Sequence, residues 1–215
     1  MKLQRETVVA AALKLLDEVG MDGLTTRRLA QDLGVQQPSL YWHFKNKREL
    51  LDALAEAMLA EHRPVDRAAC ADWRAWMAAQ SREFRRCLLA HRDGARVHVG
   101  TRPQPHDFGE VEAELAYLTA AGFTASDAIR ALISLSYYTV GWVLEEQAAT
   151  EAGRGPGQAP MSPDPQRYPL LAQAQPVMSQ SDVEADYEYG LQALIAGFEV
   201  LIGTHAAGDC AATDR

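Results

Sequence analysis

Residues 37–47, QPSLYWHFKNK, concentrate aromatic rings and hydrogen-bond donors in one short stretch. Tyr41, Trp42, His43 and Lys47 supply hydroxyl, indole, imidazole and ammonium donors, which all suit phosphate oxygens. Gln37 can pair with the edge of an adenine. A buried aromatic cluster would alternate with other apolar residues at helical spacing, whereas this one lies between glutamines and cations. The stretch therefore indicates contact with a partner outside the chain.

Helical patterns surround this stretch and must position it. Apolar residues recur at three and four positions over residues 5–19, and Thr25 can cap a second helix that Gly34 ends in a turn. A proline begins a third short helix over residues 38–43, and Lys47 opens a long fourth one. Two short helices joined by a glycine turn form a helix-turn-helix, whose second helix enters the major groove of DNA.

The apolar members of the stretch also have a plainer explanation. Leu40, Phe44 and Trp42 can simply form the core of so small a domain. We expect core positions for Leu40 and Phe44, and a DNA-facing position for Tyr41 and Trp42. At the groove-facing end, Pro38 or Tyr41 can touch a thymine methyl group.

Charge is distributed unevenly along the chain. The formal net charge is -8, but residues 1–50 carry a balance of +2 and the remainder carries -10. We call the basic N-terminal region the head and the acidic remainder the body. This distribution of charge is compatible with nucleic-acid binding through the head alone. The three cysteines have no metal-ligand spacing, and no signal peptide or membrane-spanning run is evident. We therefore expect a soluble, cytoplasmic protein.

The body is predicted to be helical as well. Segments 125–148 and 182–203 are its most apolar helices, and they form either an internal core or a four-helix interface with a second copy of the chain. A glycine- and proline-rich loop is predicted at 151–166. The expected organisation is a head over 1–46, a connecting helix over 47–66, a ligand-binding and dimerisation domain over 67–205 and a disordered tail over 206–215.

Catalysis finds little support in the chain. The HRDG sequence at 91–94 resembles the start of a kinase catalytic loop, but no glycine-rich phosphate loop, strand lysine or DFG accompanies it. No serine, histidine and aspartate occur with nucleophile-elbow spacing. His98 lies in VHVGTRP at 97–103, where Gly100 and Pro103 break the helix, and a lone histidine there is more often structural than functional. We expect no enzyme activity.

Two long segments resemble the TetR family of DNA-binding regulators: DGLTTRRLAQDLGVQQPSLYWHFKNKRELLDALA at 22–55 and FRRCLLAHRDGARVHVGTRP at 84–103. The resemblance implies an all-α fold of about ten helices. It also implies that Arg27 and Gln37 read bases and that Pro38 and Tyr41 make apolar base contacts. Phosphate contacts are implied for Thr26, Ser39, Tyr41, Trp42, His43 and Lys47.

The second segment is similar to the branch of the family that responds to tetracyclines. The resemblance implies that His98 coordinates a magnesium ion carried in by the drug, that Thr101 lies in the outer shell of the metal, and that Glu145 of the partner chain holds one of its waters. Phe84 would pack against the ligand rings. Arg102 and Pro103 would line the turn that moves.

Three positions depart from that branch. Arg63 replaces a histidine that grips the ligand, Gln80 replaces an asparagine, and Glu114 replaces a glutamine. A buried arginine or glutamate needs a partner, so Arg63 and Glu114 either pair or select a differently charged ligand. We therefore predict that the metal-binding end of the pocket is kept while its other end is altered.

These features together predict a ligand-responsive repressor. It would bind palindromic operator DNA as a homodimer and be released by a small molecule, with magnesium present only as part of the ligand complex and no intrinsic cofactor. The inducer is either magnesium-tetracycline or another polyketide or aromatic metabolite. A ligand or metal carrier that never touches DNA is the remaining alternative, against which the basic, capped head argues.

Overall fold

The computed structural model describes residues 3–61, 63–101, 108–153, 163–179 and 182–212, with the backbone alone at 178–179 and 204–212. Over these ranges the chain is all-α, as predicted, and contains no strand. The helices are α1 (Arg5–Gly23), α2 (Thr26–Asp32), α3 (Pro38–Tyr41), α4 (Lys47–Ala60), α5 (Trp73–Leu89), α6 (Gly94–His98), α7 (Phe108–Ala120), α8 (Ala125–Glu151), α9 (Pro169–Ser179) and α10 (Val183–Ala212). A 3-10 turn, Arg67–Ala69, lies between α4 and α5.

Helices α1 to α4 form a head around an apolar core. Caps hold two of them: the Thr25 hydroxyl accepts the Arg28 N–H at 3.2 Å, and Asn46 Oδ1 accepts the Glu49 N–H at 2.9 Å. Gly34, with φ of +65°, makes the turn between α2 and α3 in a conformation that favours glycine. The core contains Val8, Ala12, Leu15, Leu16, Leu29, Leu40, Phe44, Leu50 and Leu54.

Two helix ends in the head differ from the predicted ones. Helix α1 continues past residue 19 to Gly23, because Gly20 adopts φ of +72° and kinks the helix without ending it. Helix α4 ends at Ala60, short of the predicted boundary at residue 66. Pro64 accounts for this early end, since the residue before a proline disfavours the α conformation.

The body differs from expectation at its C-terminal end. Helix α9 forms within a segment for which periodicity predicted no helix, and it contains Pro176. Helix α10 runs to Ala212, so it includes most of the segment 206–215 that composition suggested would be a tail. The predicted loop at 151–166 lies largely outside the described residues.

A buried tyrosine ties α5, α8 and α10 together. The Tyr187 hydroxyl donates to the Ser81 carbonyl at 3.1 Å and lies 3.0 Å from Thr139 Oγ1. The Tyr138 hydroxyl donates to the Tyr187 carbonyl at 2.6 Å, and the Arg85 guanidinium lies 4.9 Å from the Tyr187 ring centroid. Burial raises the pKa of Tyr187 to about 12, so the hydroxyl stays neutral. The body thus contains satisfied polar groups as well as apolar ones.

The described residues lack two features that were looked for in the sequence. None of the described helices is long and apolar enough to cross a membrane. Among the described residues, no group of three or more histidine, cysteine, aspartate or glutamate side chains comes together to hold a metal ion.

Candidate functional site

The helix-turn-helix presents a connected polar surface. Gln37 Nε2 donates to Thr26 Oγ1 at 2.9 Å and lies within 3.4 Å of the Tyr41 hydroxyl, so α2 and α3 are joined through their side chains. Tyr41 is 49% exposed and Trp42 is 89% exposed. Both rings therefore lie outside the core of the head. By contrast Leu40 is buried in that core, as predicted.

The remaining residues expected on this surface are accessible to varying degrees. Arg27 and Pro38 are exposed, whereas Ser39 and His43 are half-buried. The ammonium group of Lys47 donates to the Met21 carbonyl at 3.2 Å, at the end of α1. The Arg27 guanidinium makes no ion pair with any residue that the structure describes.

The candidate pocket begins at the end of α6. The His98 ring meets the Phe84 ring edge to face, with centroids 5.1 Å apart. The Thr101 hydroxyl donates to the His98 carbonyl at 2.7 Å and lies 3.5 Å from His98 Nδ1. Burial lowers the pKa of His98, which favours the neutral imidazole. A neutral imidazole is the form that coordinates a metal ion. The structure thus brings together three of the residues expected here: Phe84, His98 and Thr101.

Another group of polar and aromatic residues lies along α5 and α7. The Arg67 guanidinium lies 5.3 Å from the Trp76 ring centroid and 5.9 Å from that of Tyr117. Burial raises the pKa of Glu114 to about 7, aided by the charge of Glu110 and opposed by that of Arg67. Arg67 was not identified from the sequence, because a charged residue in a segment without periodicity carries no signal of its orientation.

Other residues expected in the pocket are placed differently. Arg63 is exposed, and its backbone N–H bonds to Glu83 at 3.1 Å, so the structure does not bring it together with Glu114. The cation that acts on Glu114 is Arg67 instead. Gln80 is half-buried on α5, and Glu145 is exposed on α8. Arg102 and Pro103 lie outside the described residues.

Helix α6 joins the pocket to the head. Val97 is buried in the core of the head, whereas its neighbour His98 contacts Phe84 in the body. The Arg48 side chain on α4 donates to the Val99 carbonyl at 3.5 Å. A side chain in place of Gly100, which adopts φ of +78°, would lie 3.4 Å from the Arg48 guanidinium. The end of α6 therefore contacts α4 directly.

A second junction connects α1 to the segment that precedes α6. His91 Nδ1 lies 3.1 Å from Asp17 on α1, and His91 Nε2 lies 3.3 Å from Glu61 after α4. Asp93 is buried with φ of +59°, and its carboxylate accepts the Met21 N–H at 2.6 Å. These contacts hold the head to the body at a point separate from the pocket.

The two long helices of the body carry exposed apolar side chains. On α8 these are Ile133 and Tyr137, one helical turn apart, and on α10 they are Tyr189, Val200 and Leu201. Large apolar residues left on one protomer mark an interaction surface. This distribution favours the predicted four-helix interface between two copies over a wholly internal role for α8 and α10.

Two protein-family models match the chain. The model described as "Bacterial regulatory proteins, tetR family" matches residues 8–54. The model described as "Tetracyclin repressor-like, C-terminal domain" matches residues 68–202. The boundary between the two matches falls in the segment that connects α4 to α5.

Individual proteins resemble the chain over nearly its full length. Tetracycline repressor protein class A from transposon 1721 of Escherichia coli is 53% identical over 201 residues, which cover 91% of this chain and 90% of that protein. A structure of TetR (class A) in complex with 5a,6-anhydrotetracycline and magnesium is 47% identical, with a TM-score of 0.71, and the match covers 92% of this chain and 98% of that one. A substituted TetR from Acinetobacter baumannii AYE in complex with minocycline is 46% identical, with a TM-score of 0.74, covering 93% and 98%.

Sequence and structure agree on both parts of the molecule. The head is a helix-turn-helix with an exposed polar surface, and the body is a helical domain whose two long helices carry exposed apolar side chains. Both family models match, and the relatives are regulators rather than enzymes. The chain belongs to the TetR family of bacterial transcriptional regulators, and it is a ligand-responsive repressor that binds operator DNA as a homodimer.

Proposed function

We propose that the inducer of this repressor is a tetracycline bound as its magnesium complex. The observation that carries the proposal is the arrangement at the end of α6, where a half-buried imidazole favoured in its neutral form contacts Phe84 and Thr101. The printed names of the relatives point the same way, since one is a tetracycline repressor and another was solved with a tetracycline and magnesium.

The protein donors at this site fit a metal that arrives with its ligand. His98 offers one nitrogen, Thr101 offers a hydroxyl, and the described residues form no larger ligand group. Magnesium prefers six oxygen ligands and usually retains several waters, so most of its shell must come from the drug and from water. His98 would coordinate the ion directly. Glu145 of a second protomer, exposed on α8, would hold a water at its edge.

When bound, magnesium would supply a positive charge that attracts the oxygens of the drug and the imidazole nitrogen of His98. The chain's own residues would do the rest: Phe84 packs against the drug rings, and Thr101 fixes the turn through its bond to the His98 carbonyl. Arg102 and Pro103 would follow in the moving turn.

Release from DNA would follow from the position of α6. Ligand held at His98 would displace the end of α6, and Val97 and Arg48 would pass this displacement to the core of the head and to α4. The two recognition helices of the dimer would then no longer match successive major grooves. To shift this equilibrium, the inducer must bind the DNA-free conformation more tightly.

On the DNA side, we propose direct contacts for the residues of the helix-turn-helix surface. Arg27 and Gln37 would read base edges, and Pro38 and Tyr41 would make apolar base contacts. The phosphate contacts would come from Thr26, Ser39, Tyr41, Trp42, His43 and Lys47.

A second candidate inducer is another polyketide or aromatic metabolite. The observations that favour it are at the positions that depart from the tetracycline-responsive branch: Arg67 acts on Glu114, whose pKa is raised, and Gln80 Oε1 is buried without a hydrogen-bond partner among the described residues. His98 would then still bind the metal ion of the ligand complex, while the end of the site near Glu114 would bind a chemical group that tetracycline lacks.

The test is a fluorescence titration of the purified protein with tetracycline, first with magnesium and then with a chelator. We expect tight binding only with magnesium, and loss of the magnesium dependence in His98→Ala. A protein that binds palindromic operator DNA but not tetracycline would exclude tetracycline and favour the second candidate. Equal binding by His98→Ala would exclude the metal role of His98.

A further inference from the structure

One face of α5 runs from the proposed metal end, defined by His98, to a charged end, defined by Arg67. Trp76, Gln80 and Phe84 are spaced by four residues, so their side chains lie along one face of the helix. Phe84 meets His98, and Trp76 meets Tyr117 edge to face at 5.3 Å. At a rise of about 1.5 Å per residue, the ends of this face lie about 12 Å apart. The distance suits an elongated, fused-ring ligand.

Arg67 lies at the charged end of this face. Its guanidinium lies near both aromatic rings, and its Nε is buried with no hydrogen-bond partner among the described residues. Its backbone is fixed as well, because Asp66 caps the 3-10 turn by accepting the Ala68 N–H at 2.9 Å. A guanidinium that lies against two aromatic rings and has a donor without a partner is suited to bind an oxygen.

Gln80 lies between the two ends of this face and has a hydrogen-bond acceptor without a partner among the described residues, where Arg67 has a donor without one. Its Oε1 is buried and has no donor among the residues that the structure describes. Buried polar atoms are nearly always hydrogen-bonded in folded proteins. One unused donor and one unused acceptor near the same helix face therefore point to a ligand that supplies both an acceptor and a donor.

Glu114 determines the charge that this end presents. Its burial and the neighbouring Glu110 favour the neutral acid, whereas Arg67 alone favours the carboxylate. Near neutral pH the carboxyl group is consequently not a full counter-ion for Arg67. The charge of Arg67 then remains available, and the protonated fraction of Glu114 can donate a hydrogen bond.

We propose that Arg67 is an inducer-binding residue, and that its guanidinium recognises an anionic or strongly polarised oxygen, such as an enolate, at the end of the inducer opposite the metal. Gln80 accepts a hydrogen bond from an adjacent N–H or O–H group of the same ligand. This inference rests on the proposed function, since it takes magnesium-tetracycline as the ligand, but it assigns a residue that the metal end does not involve.

The experiment compares Arg67→Gln, Arg67→Lys and Arg63→Gln in full-length protein. Arg63 is the matched control, because it is an exposed arginine in the same connecting segment. Tetracycline affinity is measured by fluorescence at a series of magnesium concentrations. We expect Arg67→Gln to weaken binding at saturating magnesium by about 10-fold or more, and Arg67→Lys to recover part of that loss. Arg63→Gln should bind as the unsubstituted protein does.

The magnesium series separates this inference from the proposed function. Arg67→Gln should leave the half-saturating magnesium concentration unchanged, because Arg67 lies at the end of α5 away from His98, whereas His98→Ala should change it. Arg67→Gln with unchanged tetracycline affinity would overturn the role of Arg67 while leaving the inducer in place. So would a loss accompanied by a lowered melting temperature and no recovery in Arg67→Lys. If the unsubstituted protein fails to bind tetracycline, the proposed inducer falls and this inference falls with it.

Discussion

The head and the body place the residues that we propose to be functional in opposite environments. In the head, Trp42, Tyr41 and Arg27 are exposed, and the core beneath them is apolar. In the body, polar groups lie inside: Thr139 and Ser81 are buried. The pocket residues His98, Gln80 and Glu114 are half-buried. The residues proposed to bind DNA are thus exposed on the surface of the head, whereas those proposed to bind the ligand are partly buried in the body.

This difference has a physical consequence. An exposed side chain with few protein contacts contributes little to folding, so the head can lose a DNA contact without losing stability. A polar side chain in the interior must be satisfied, and removing its partner costs free energy. We therefore expect function and stability to be separable in the head and coupled in the body.

The largest expected effect is in the head. Replacing both Arg27 and Tyr41 with alanine should weaken specific operator binding by about 2–6 kcal/mol, since each base contact contributes about 1–3 kcal/mol and distant contacts add. The melting temperature and tetracycline binding should stay unchanged, because neither side chain belongs to the core. Operator affinity is measured by anisotropy at fixed salt, and stability by thermal unfolding.

Lys14→Ala is the control for this change. It removes one exposed cation from α1, where Lys14 pairs only weakly with Glu18 at 4.0 Å. Weakened binding by Lys14→Ala to operator and random DNA alike would reveal a general charge effect. A double variant that unfolds at a much lower temperature would contradict the separation of function from stability in the head.

The head could largely be predicted from its sequence because its structure is set by local rules. Apolar spacing, the Thr25 cap, the Gly34 turn and Pro38 are all short-range signals, and they place α2 and α3 correctly. The kink at Gly20 was missed, because it accommodates Asp93, whose carboxylate would lie 2.9 Å from a side chain at that glycine. That contact joins distant parts of the chain and leaves no periodic signal.

The body was predicted in outline and not in detail. Apolar periodicity predicted α8 close to its observed bounds and α10 close to its observed start, but it did not reveal α9, which carries an internal proline. Nor could it choose between Arg63 and Arg67, since the connecting segment has no regular period and the choice depends on the rings of Trp76 and Tyr117. The residues of the proposed pocket come from separate helices, whose relative positions are not encoded locally.

An intermediate effect is expected at the polar core of the body. Tyr187→Phe removes the hydroxyl that bonds Ser81 and Thr139, so it should lower the free energy of unfolding by about 1–3 kcal/mol. Urea unfolding at fixed protein concentration measures the change, since the dimer's stability depends on concentration. Tyr138→Phe serves for comparison and should cost less, because Tyr138 is only half-buried. An unchanged midpoint in Tyr187→Phe would show that the polar core contributes no more than an apolar one.

The smallest effect should come from Glu114 and should depend on pH. Its pKa is raised to about 7 in the folded protein from an ordinary value of 4.5, so the folded chain binds more protons than the unfolded chain between these values. Stability therefore falls as pH rises from about 4.5 to about 7, and this group adds no further change above that range. Glu114→Gln removes the ionisation and should be more stable than the unsubstituted protein at pH 8 by roughly 1–2 kcal/mol, allowing for its partial exposure.

Urea unfolding of both proteins at pH 5 and pH 8 tests this prediction. The two should be nearly equal at pH 5, where Glu114 is protonated in the folded state, and should separate at pH 8. The control is Glu112→Gln on the exposed side of α7, for which no such separation is expected. If Glu114→Gln is instead less stable than the unsubstituted protein at pH 8, Arg67 holds Glu114 as a carboxylate in a partly buried ion pair. The charges of Arg67 and Glu114 would then cancel before the ligand binds. The partly buried charge in the body would be paired, whereas the head has an apolar core.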